Sequence, residues 1–210
     1  PRSTPTVDGD VVYALGAQGQ LFALNAESGE VGWQKDLAKE FGSEVPRWGF
    51  STSPLIDGDL LFVEVGGVDG NFVVDMVIDR EAAATAVAVD KKTGRTVWSA
   101  LGDKMSYSSP IAYTVAGRRE VAFLNAYALV GLSPSDGSVR WRVPWKTRYD
   151  VSAATPVFIA PDQIFISAGD NGAVFRVKEN GAEQVWKNDV MKNHFGTSIY
   201  HDGYLYGFDQ

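Results

Sequence analysis

The sequence predicts an all-β protein that is assembled from repeated four-stranded sheets. Apolar and β-branched runs of about four to six residues follow one another along the 210-residue chain, separated by turn sequences such as Asp8-Gly9 and Thr93-Gly94. Glycine and asparagine accept the positive φ angles of tight hairpins, whereas a helix would be broken about every eight to ten residues. Residues 81–88 form the one stretch whose composition suits a helix.

Four segments of the chain share one pattern, and a fifth copy begins after residue 195. Each copy opens near a proline, continues through apolar runs and closes at a tryptophan. The marker prolines are Pro5, Pro54, Pro110 and Pro156, and the marker tryptophans are Trp33, Trp98, Trp141 and Trp186. An insertion of about 16 residues within residues 64–85 lengthens the second copy. Without it the repeat is about 45 residues long, the size of a four-stranded propeller blade.

We therefore predict one β-propeller domain over residues 1–210, because radial repetition protects the edges of such short strands. The predicted full blades cover residues 3–37, 51–102, 107–145 and 152–190, with a partial blade at 195–210 and the insertion at about 64–85.

The composition restricts the classes of function. There are 19 Lys and Arg against 26 Asp and Glu, and the net charge of −7 argues against nucleic-acid binding, which needs a basic face. No apolar run approaches the roughly 18 residues of a membrane-spanning helix. The absence of cysteine excludes disulfides, thiolate metal sites and cysteine nucleophiles. The common nucleotide-binding, serine-hydrolase and zinc-protease motifs are also absent.

Two segments carry a resemblance to a known family. Residues 88–98, AVDKKTGRTVW, match the A-x-D-x-x-x-G-x-x-x-W tryptophan-docking pattern of quinoprotein (PQQ-type) β-propellers, and residues 23–33, ALNAESGEVGW, match it with Asn in place of Asp. The third copy keeps Gly137 and Trp141, and the fourth keeps Trp186. The chain therefore resembles PQQ-type propellers over essentially its whole length.

The resemblance implies that each tryptophan packs between a small residue and a glycine peptide of the neighbouring blade. A large aromatic ring on an outer strand also needs a small residue opposite it. The residues to which this gives a blade-docking role are Ala23, Gly29, Trp33, Ala88, Gly94, Trp98, Gly137, Trp141 and Trp186.

Two branches of the family suggest different functions. Residues 23–34, 191–195 and 204–209 resemble the non-catalytic branch that includes the outer-membrane assembly lipoprotein BamB. That branch implies a bacterial, extracytoplasmic scaffold without a cofactor, which binds a protein or a small polar ligand. The alternative is a PQQ- and calcium-dependent alcohol dehydrogenase, although those enzymes commonly carry a disulfide of adjacent cysteines. A polysaccharide-active enzyme is a third alternative, and it would need paired carboxylates across a cleft.

The family also bears on the number of blades. Its members usually have seven or eight, so we expect this chain to form part of a larger ring. A closed ring of four or five blades, or two half-rings that dimerise, are the alternatives.

The residues that precede each blade are the candidates for a binding site, because the resemblance places them at one mouth of the channel. They are Arg47, Trp48, Tyr107, Tyr149, Asp150, Asn193 and His194, with Arg2, Phe50 and Arg148 beside them. Such aromatic, cationic and hydrogen-bonding side chains suit a polar or planar ligand or a peptide, although ordinary loop packing would also explain them.

Two further hypotheses concern chemistry. His194 could act as a general base if Asp150 or Asp189 oriented it, although an exposed loop histidine is the simpler interpretation. The insertion carries Asp69, Asp75, Asp79 and Glu81, which could bind calcium or form a solvated acidic surface. Contact with another protein is the role that we favour for the insertion.

Overall fold

The computed structural model describes residues 3–66 and 84–209, which form antiparallel β-sheets. These residues divide into two compact units, the first ending at Met105 and the second beginning at Ser106. The predicted all-β architecture of four-stranded antiparallel sheets is confirmed. No helix in the described ranges is long and apolar enough to cross a membrane.

The first unit contains two sheets, in each of which every strand pairs with the next strand along the chain. The first sheet comprises β1 Thr6–Asp8, β2 Val11–Leu15, β3 Gln20–Asn25 and β4 Val31–Asp36, and the second comprises β5 Leu55–Asp57, β6 Leu60–Gly66, β7 Ala84–Asp90 and β8 Thr96–Ala100. A single helical turn, α1 Leu37–Glu40, follows β4, and the Asp36 side chain caps it by accepting a hydrogen bond from the Lys39 backbone N–H. This turn is too short to leave a helical periodicity in the sequence.

The second unit contains two more sheets of the same kind and a hairpin. Its strands are β9 Ile111–Val115, β10 Arg118–Leu124, β11 Ala128–Leu132 and β12 Val139–Pro144 in one sheet, β13 Val157–Ile159, β14 Gln163–Ala168, β15 Asn171–Lys178 and β16 Gly181–Asn188 in the next, and β17 Ile199–His201 and β18 Tyr204–Tyr206 in the hairpin.

The stretch with a helical composition is a strand as far as the structure describes it. Residues 84–88 belong to β7, which pairs with β6 on one side and β8 on the other. Ala84–Val89 are buried, so packing between two strands outweighs the helical propensity of the alanines. The four acidic residues of the insertion, Asp69, Asp75, Asp79 and Glu81, lie outside the described residues.

A β-bulge occurs at the same place in all four sheets. In each sheet one residue of the outer strand is left without a partner, and it is the residue directly before the marker tryptophan. The tryptophans then pair across the sheet with residues of the third strand, Trp33 with Ala23, Trp98 with Ala88, Trp141 with Gly131 and Trp186 with Val174. A bulge re-aims the side chain that follows it, which explains the fixed position of the tryptophan in the repeat.

The turn between the third and fourth strands is built alike in three sheets. The backbone N–H of Gly29 donates to the carbonyl of Asn25, that of Gly94 to Asp90, and that of Gly137 to Ser133. These glycines have φ between +70° and +72°, where a side chain would be strained. The third residue of the tryptophan-docking pattern, Asn25 in the first sheet and Asp90 in the second, therefore caps this turn, and Asn and Asp are both suited to that position.

The central strands of each unit form the core. In the first unit β6 is buried from Leu61 onward, and Leu21 and Leu37 are fully enclosed beside it. In the second unit β11 is buried along its whole length and packs in a cluster that includes Ile164 and Phe175. The outer strands are more exposed, since they cover only one side of the core.

Candidate ligand-binding cleft

An open cleft of about 250 Å³ lies in the second unit, between two loops and the β14–β15 turn. The loop after β12 contributes four of the lining residues, the turn contributes two, and the loop after β16 contributes the remaining two. These residues are Thr147, Arg148, Tyr149, Val151, Gly169, Asp170, Lys192 and His194.

The loop after β12 is fixed by the hydroxyl of Thr147. This hydroxyl accepts a hydrogen bond from the Val151 N–H at 2.8 Å and donates to the Val151 carbonyl at 3.0 Å. Gly169, at φ +65°, packs against it, and a Cβ atom there would lie 3.2 Å from the Thr147 methyl group. Arg148 and Tyr149 are therefore presented from a loop that is closed on itself.

The loop after β16 is fixed by Asn193. The side-chain amide of this buried residue donates to the Gly196 carbonyl at 2.9 Å and to the Ser198 hydroxyl at 2.7 Å, while its backbone N–H donates to the Ser167 hydroxyl at 2.8 Å. The backbone N–H of Lys192 donates to the Asp209 carboxylate at 3.0 Å. Both walls of the cleft are thus held by hydrogen bonds of Thr147 and Asn193, which do not involve the side chains of Arg148, Tyr149 or Lys192.

The lining side chains carry two cations and one carboxylate. The guanidinium of Arg148 stacks on the Tyr149 ring, 5.2 Å from its centroid, and this ring is 70% exposed. The Lys192 ammonium lies 4.0 Å from Asp189, a loose and exposed pair that contributes little to stability. The His194 ring contacts the Phe195 ring edge-on, with 4.1 Å between the two ring centroids. The cleft therefore offers aromatic surface and positive charge together.

The structure distributes the predicted binding residues over several places. Tyr149 and His194 line the cleft together with Arg148. Asp150 follows Tyr149, but its carboxylate is mostly buried and lies 3.9 Å from Lys146. Tyr107 does not line the cleft and holds the Ser152 carbonyl through its backbone N–H.

Four further predicted residues are not among those that line the cleft. Asn193 is 1% exposed and its amide nitrogen donates to two groups of its own loop, so its role is to hold that loop. Phe50 is fully buried in the core of the first unit. Arg47 stacks on the exposed Trp48 in the first unit, which repeats the Arg–aromatic arrangement of the cleft at another site.

The lining residues that the sequence analysis missed are Thr147, Val151, Gly169, Asp170 and Lys192. Gly169 and Asp170 form the turn between two strands of one sheet, whereas the predicted site residues lie in loops that lead into a new blade. The sequence contains this turn, but no sequence pattern shows that Gly169 and Asp170 face Arg148 across a cleft.

The interpretation of His194 as a general base finds no support in the geometry. Its ring contacts Phe195, while Asp150 pairs with Lys146 and Asp189 pairs with Lys192. A catalytic base needs such an orienting partner to fix its tautomer. His194 is instead one of the residues that line the cleft, and this accounts for its position.

Two of the four marker tryptophans pack against glycines, each in a different way. Trp33 lies on Gly94 of the neighbouring sheet, where an added Cβ would stand 2.7 Å from the ring, and its indole N–H donates to the Lys91 carbonyl. Trp141 lies over Gly131 of its own sheet, where a Cβ would stand 2.3 Å from the ring. Trp98 is buried against Phe62. Trp186 is 37% exposed.

A buried carboxylate takes the place of the Lys91 carbonyl in the second unit. Glu120 is fully buried and accepts hydrogen bonds from the Trp141 indole at 2.8 Å, the Tyr113 hydroxyl at 2.7 Å and Arg118 at 2.6 Å. Arg118 also donates to the carbonyls of Lys178 and Glu179 in the adjacent sheet. Burial and the bond to Glu120 raise the pKa of Tyr113 well above its ordinary value.

Comparison with known proteins identifies the family. The sequence profile of the outer membrane protein assembly factor BamB family matches residues 1–210. The chain belongs to the BamB family. No curated protein sequence matches it at a significant level.

Solved structures share the fold of this BamB-family chain. BamB from Moraxella catarrhalis has a TM-score of 0.62 at 17% identity, covering 97% of this chain and 53% of that one. Quinohemoprotein alcohol dehydrogenase ADHIIG from Pseudomonas putida HK5 has a TM-score of 0.59 at 14% identity, covering 97% and 37%. The quinohemoprotein alcohol dehydrogenase from Comamonas testosteroni has a TM-score of 0.58 at 12% identity, covering 90% and 34%.

These similarities confirm the β-propeller fold, since the neighbours are propellers of BamB and PQQ-dehydrogenase type. The chain spans about half of the Moraxella BamB chain and little more than a third of the ADHIIG chain. Identities of this size establish the fold alone.

Proposed function

We propose that this protein is a non-catalytic β-propeller that binds a protein partner through the cleft of its second unit. The observation that carries the proposal is the exposed Tyr149 ring, held beside Arg148 on a hydrogen-bonded loop at the edge of the cleft. Exposed aromatic rings next to cations are typical of residues that anchor protein interfaces.

The rigidity of both walls supports the same proposal. Thr147 closes one loop and Asn193 closes the other, so little conformational entropy is lost when a partner binds. Membership of a family named for an assembly factor agrees with a scaffolding role. We also propose a bacterial, extracytoplasmic location, which rests on the family alone.

Site-specific photo-crosslinking tests the proposed partner site. A photoreactive phenylalanine analogue is placed at Tyr149 and, as the matched control, at the exposed Asp136 in the β11–β12 turn. We expect a defined protein adduct from position 149 and not from position 136, and we expect the purified partner to bind Tyr149→Ser at least about fivefold more weakly than wild type. Equal adducts from both positions, or unchanged binding of Tyr149→Ser, would contradict the proposal.

Binding of PQQ and calcium is the alternative that the dehydrogenase neighbours raise. Calcium needs about six to eight oxygen ligands, and the described residues contain no group of three or more His, Cys, Asp or Glu side chains that could hold a metal ion. Among the described residues that line the cleft, Asp170 carries the one carboxylate. These residues do not fit the cofactor pair, and we propose a function without either group.

A fluorescence titration tests that part of the proposal. The protein contains six tryptophans, so PQQ is added with and without calcium while their emission is followed. We expect no saturable quenching at micromolar PQQ. Calcium-dependent, saturable quenching would restore the dehydrogenase interpretation.

A further inference from the structure

We infer that the cleft binds an extended polypeptide segment in which acidic side chains stand next to aromatic ones. The inference rests on the proposed function, because it names the chemistry of the partner at the same cleft. It depends on the charge of the lining residues, on the exposed rings beside them and on the size of the cleft.

Among the described residues that line the cleft, cations outnumber carboxylates, and the carboxylates of Asp189 and Asp209 lie beside Lys192 outside this lining. The protein carries a formal charge of −7, yet Arg148 and Lys192 line the cleft against the single carboxylate of Asp170. Within the described part of the chain, Lys192 forms a loose ion pair with Asp189 at 4.0 Å, and Arg148 stacks on the Tyr149 ring. A guanidinium and an ammonium in one cleft favour carboxylates, and the guanidinium can bind one through two parallel hydrogen bonds.

One exposed ring lines the cleft, and a second contacts the lining residue His194. Tyr149 is 70% exposed and Phe195 is 69% exposed, and each is oriented by a neighbouring side chain, Arg148 in one case and His194 in the other. Rings that are already oriented lose little entropy when another ring packs on them. A partner segment therefore gains most when an aromatic side chain accompanies each acidic one.

The size of the cleft favours part of a polypeptide over a complete small molecule. Small-molecule sites usually enclose about 300 to 1,000 Å³ and bury most of the ligand, whereas this cleft holds about 250 Å³ and is open to solvent. One or two side chains fit such a volume, while the segment that carries them continues along the surface. The walls are rigid, so the cleft does not need to enlarge to accept them.

Fluorescence anisotropy with defined peptides tests the inference. The probe is fluorescein-Gly-Glu-Phe-Glu-Phe-Gly-amide. Control peptides replace both Glu by Gln or both Phe by Ala, and a third places a free terminal carboxylate on the Gln peptide. We expect the Gln and Ala peptides to bind at least about fivefold more weakly than the probe. We expect the Gln peptide with a free terminal carboxylate to regain less than half of the lost affinity, because the inference assigns the contact to acidic side chains.

Matched variants locate the contact. Arg148→Gln and Lys192→Gln are each expected to weaken probe binding about threefold to fivefold, and Asp170→Asn to strengthen it about twofold. Arg47→Gln removes the same kind of Arg–aromatic stack outside the cleft and should leave binding unchanged. Arg148 and Lys192 are surface side chains, and unchanged thermal melting confirms that each variant is folded.

The outcomes separate this inference from the proposed function. Equal binding of the Glu and Gln peptides, or equal loss in Arg47→Gln and Arg148→Gln, overturns the inference. If that happens while the photoreactive group at position 149 still traps a partner, the cleft is a partner site with a different chemistry. If position 149 traps no partner, the proposed function fails as well.

Discussion

The indole nitrogen of Trp33 donates a hydrogen bond to the main-chain carbonyl of Lys91, 3.0 Å away in the neighbouring sheet. The Tyr13 hydroxyl donates to the same oxygen at 3.1 Å. Because the ring also lies flat against Gly94, one side chain joins the two sheets of the first unit through packing and hydrogen bonding. The second unit joins its sheets differently, through the Arg118 side chain, which pairs with Glu120 of its own sheet and donates to the carbonyls of Lys178 and Glu179 in the next.

Replacing Gly94 with Ala should be more damaging than the same change at Gly29. The two glycines have nearly the same φ, +70° and +71°, so each substitution costs about 1–2 kcal/mol in backbone strain. At Gly94 the new Cβ would also stand 2.7 Å from the Trp33 ring, whereas no atom lies within 4 Å at Gly29. We expect Gly94→Ala to lower the free energy of unfolding by about 1–3 kcal/mol more.

Urea denaturation followed by tryptophan fluorescence measures this difference. Gly29→Ala is the matched control, since it changes the same turn position in the preceding sheet. Equal loss of stability in the two variants would show that the contact between Trp33 and Gly94 contributes nothing to stability.

Trp141→Ala should cost more stability than Trp186→Ala. Trp141 is 3% exposed, and emptying a buried aromatic site costs about 3–5 kcal/mol. Trp186 is 37% exposed, so we expect its removal to cost no more than about 2 kcal/mol. Circular dichroism during urea denaturation measures both, because it does not depend on the tryptophan that is removed.

A double variant checks that Trp141 acts through the glycine opposite it. Gly131→Ala should destabilise the wild-type protein, because the added Cβ would stand 2.3 Å from the Trp141 ring. In the Trp141→Ala background the same change meets no ring and should cost little. Additive effects of the two changes would contradict this interpretation.

Removing the arginine that pairs with Glu120 should be strongly destabilising. Arg118→Met leaves a fully buried carboxylate with only the neutral donors Tyr113 and Trp141, and breaking such a pair costs about 3 kcal/mol. The double variant Arg118→Met with Glu120→Gln removes both charges and should recover more than half of that loss. A double variant as unstable as Arg118→Met would show that the contacts of Arg118 with Lys178 and Glu179, and not its charge, hold the sheets.

Stability should fall between about pH 4 and pH 2 as the turn aspartates are protonated. Hydrogen bonds from the Ser138 backbone and hydroxyl lower the pKa of Asp136 from 3.8 to about 2, and bonds from Thr93 lower the pKa of Asp90. Each folded-state pKa lies below its unfolded value, so the contribution is present above about pH 4 and is lost as the pH falls toward the folded value. Denaturation in urea from pH 2 to pH 6 measures the change.

The first repeat supplies the control for this pH dependence. Asn25 occupies the position of Asp90 and its side-chain oxygen accepts from the Ser28 N–H at 2.8 Å, as Asp90 does from the Thr93 N–H at 2.8 Å. Asp90→Asn should therefore preserve the turn while reducing the slope of stability against pH below pH 4. An unchanged slope would mean that other carboxylates cause the acid sensitivity.

The sequence was most informative where a residue's role is local. Turn residues such as Asn25 and Asp90, and the marker Trp141, recur at equivalent positions of the repeats because each sheet needs the same backbone geometry and the same ring after the bulge. The cleft was only partly predicted. Tyr149 and His194 lie in the loops before each blade, which the repeat identified as candidate sites. Asp170 and Lys192 come from separate segments of the chain, and only folding brings them to the same cleft.

The sequence by itself determined the all-β class, the repeat and the family, since these depend on backbone preferences and hydrophobic patterns that recur along the chain. Tertiary structure alone decided which polar residues are available for binding. It buries Asn193 to hold a loop, encloses Glu120 beneath Trp141, and leaves Arg148 beside an exposed ring. The physical reason is that burial and hydrogen-bond partners are set by residues distant in sequence, which no local pattern records.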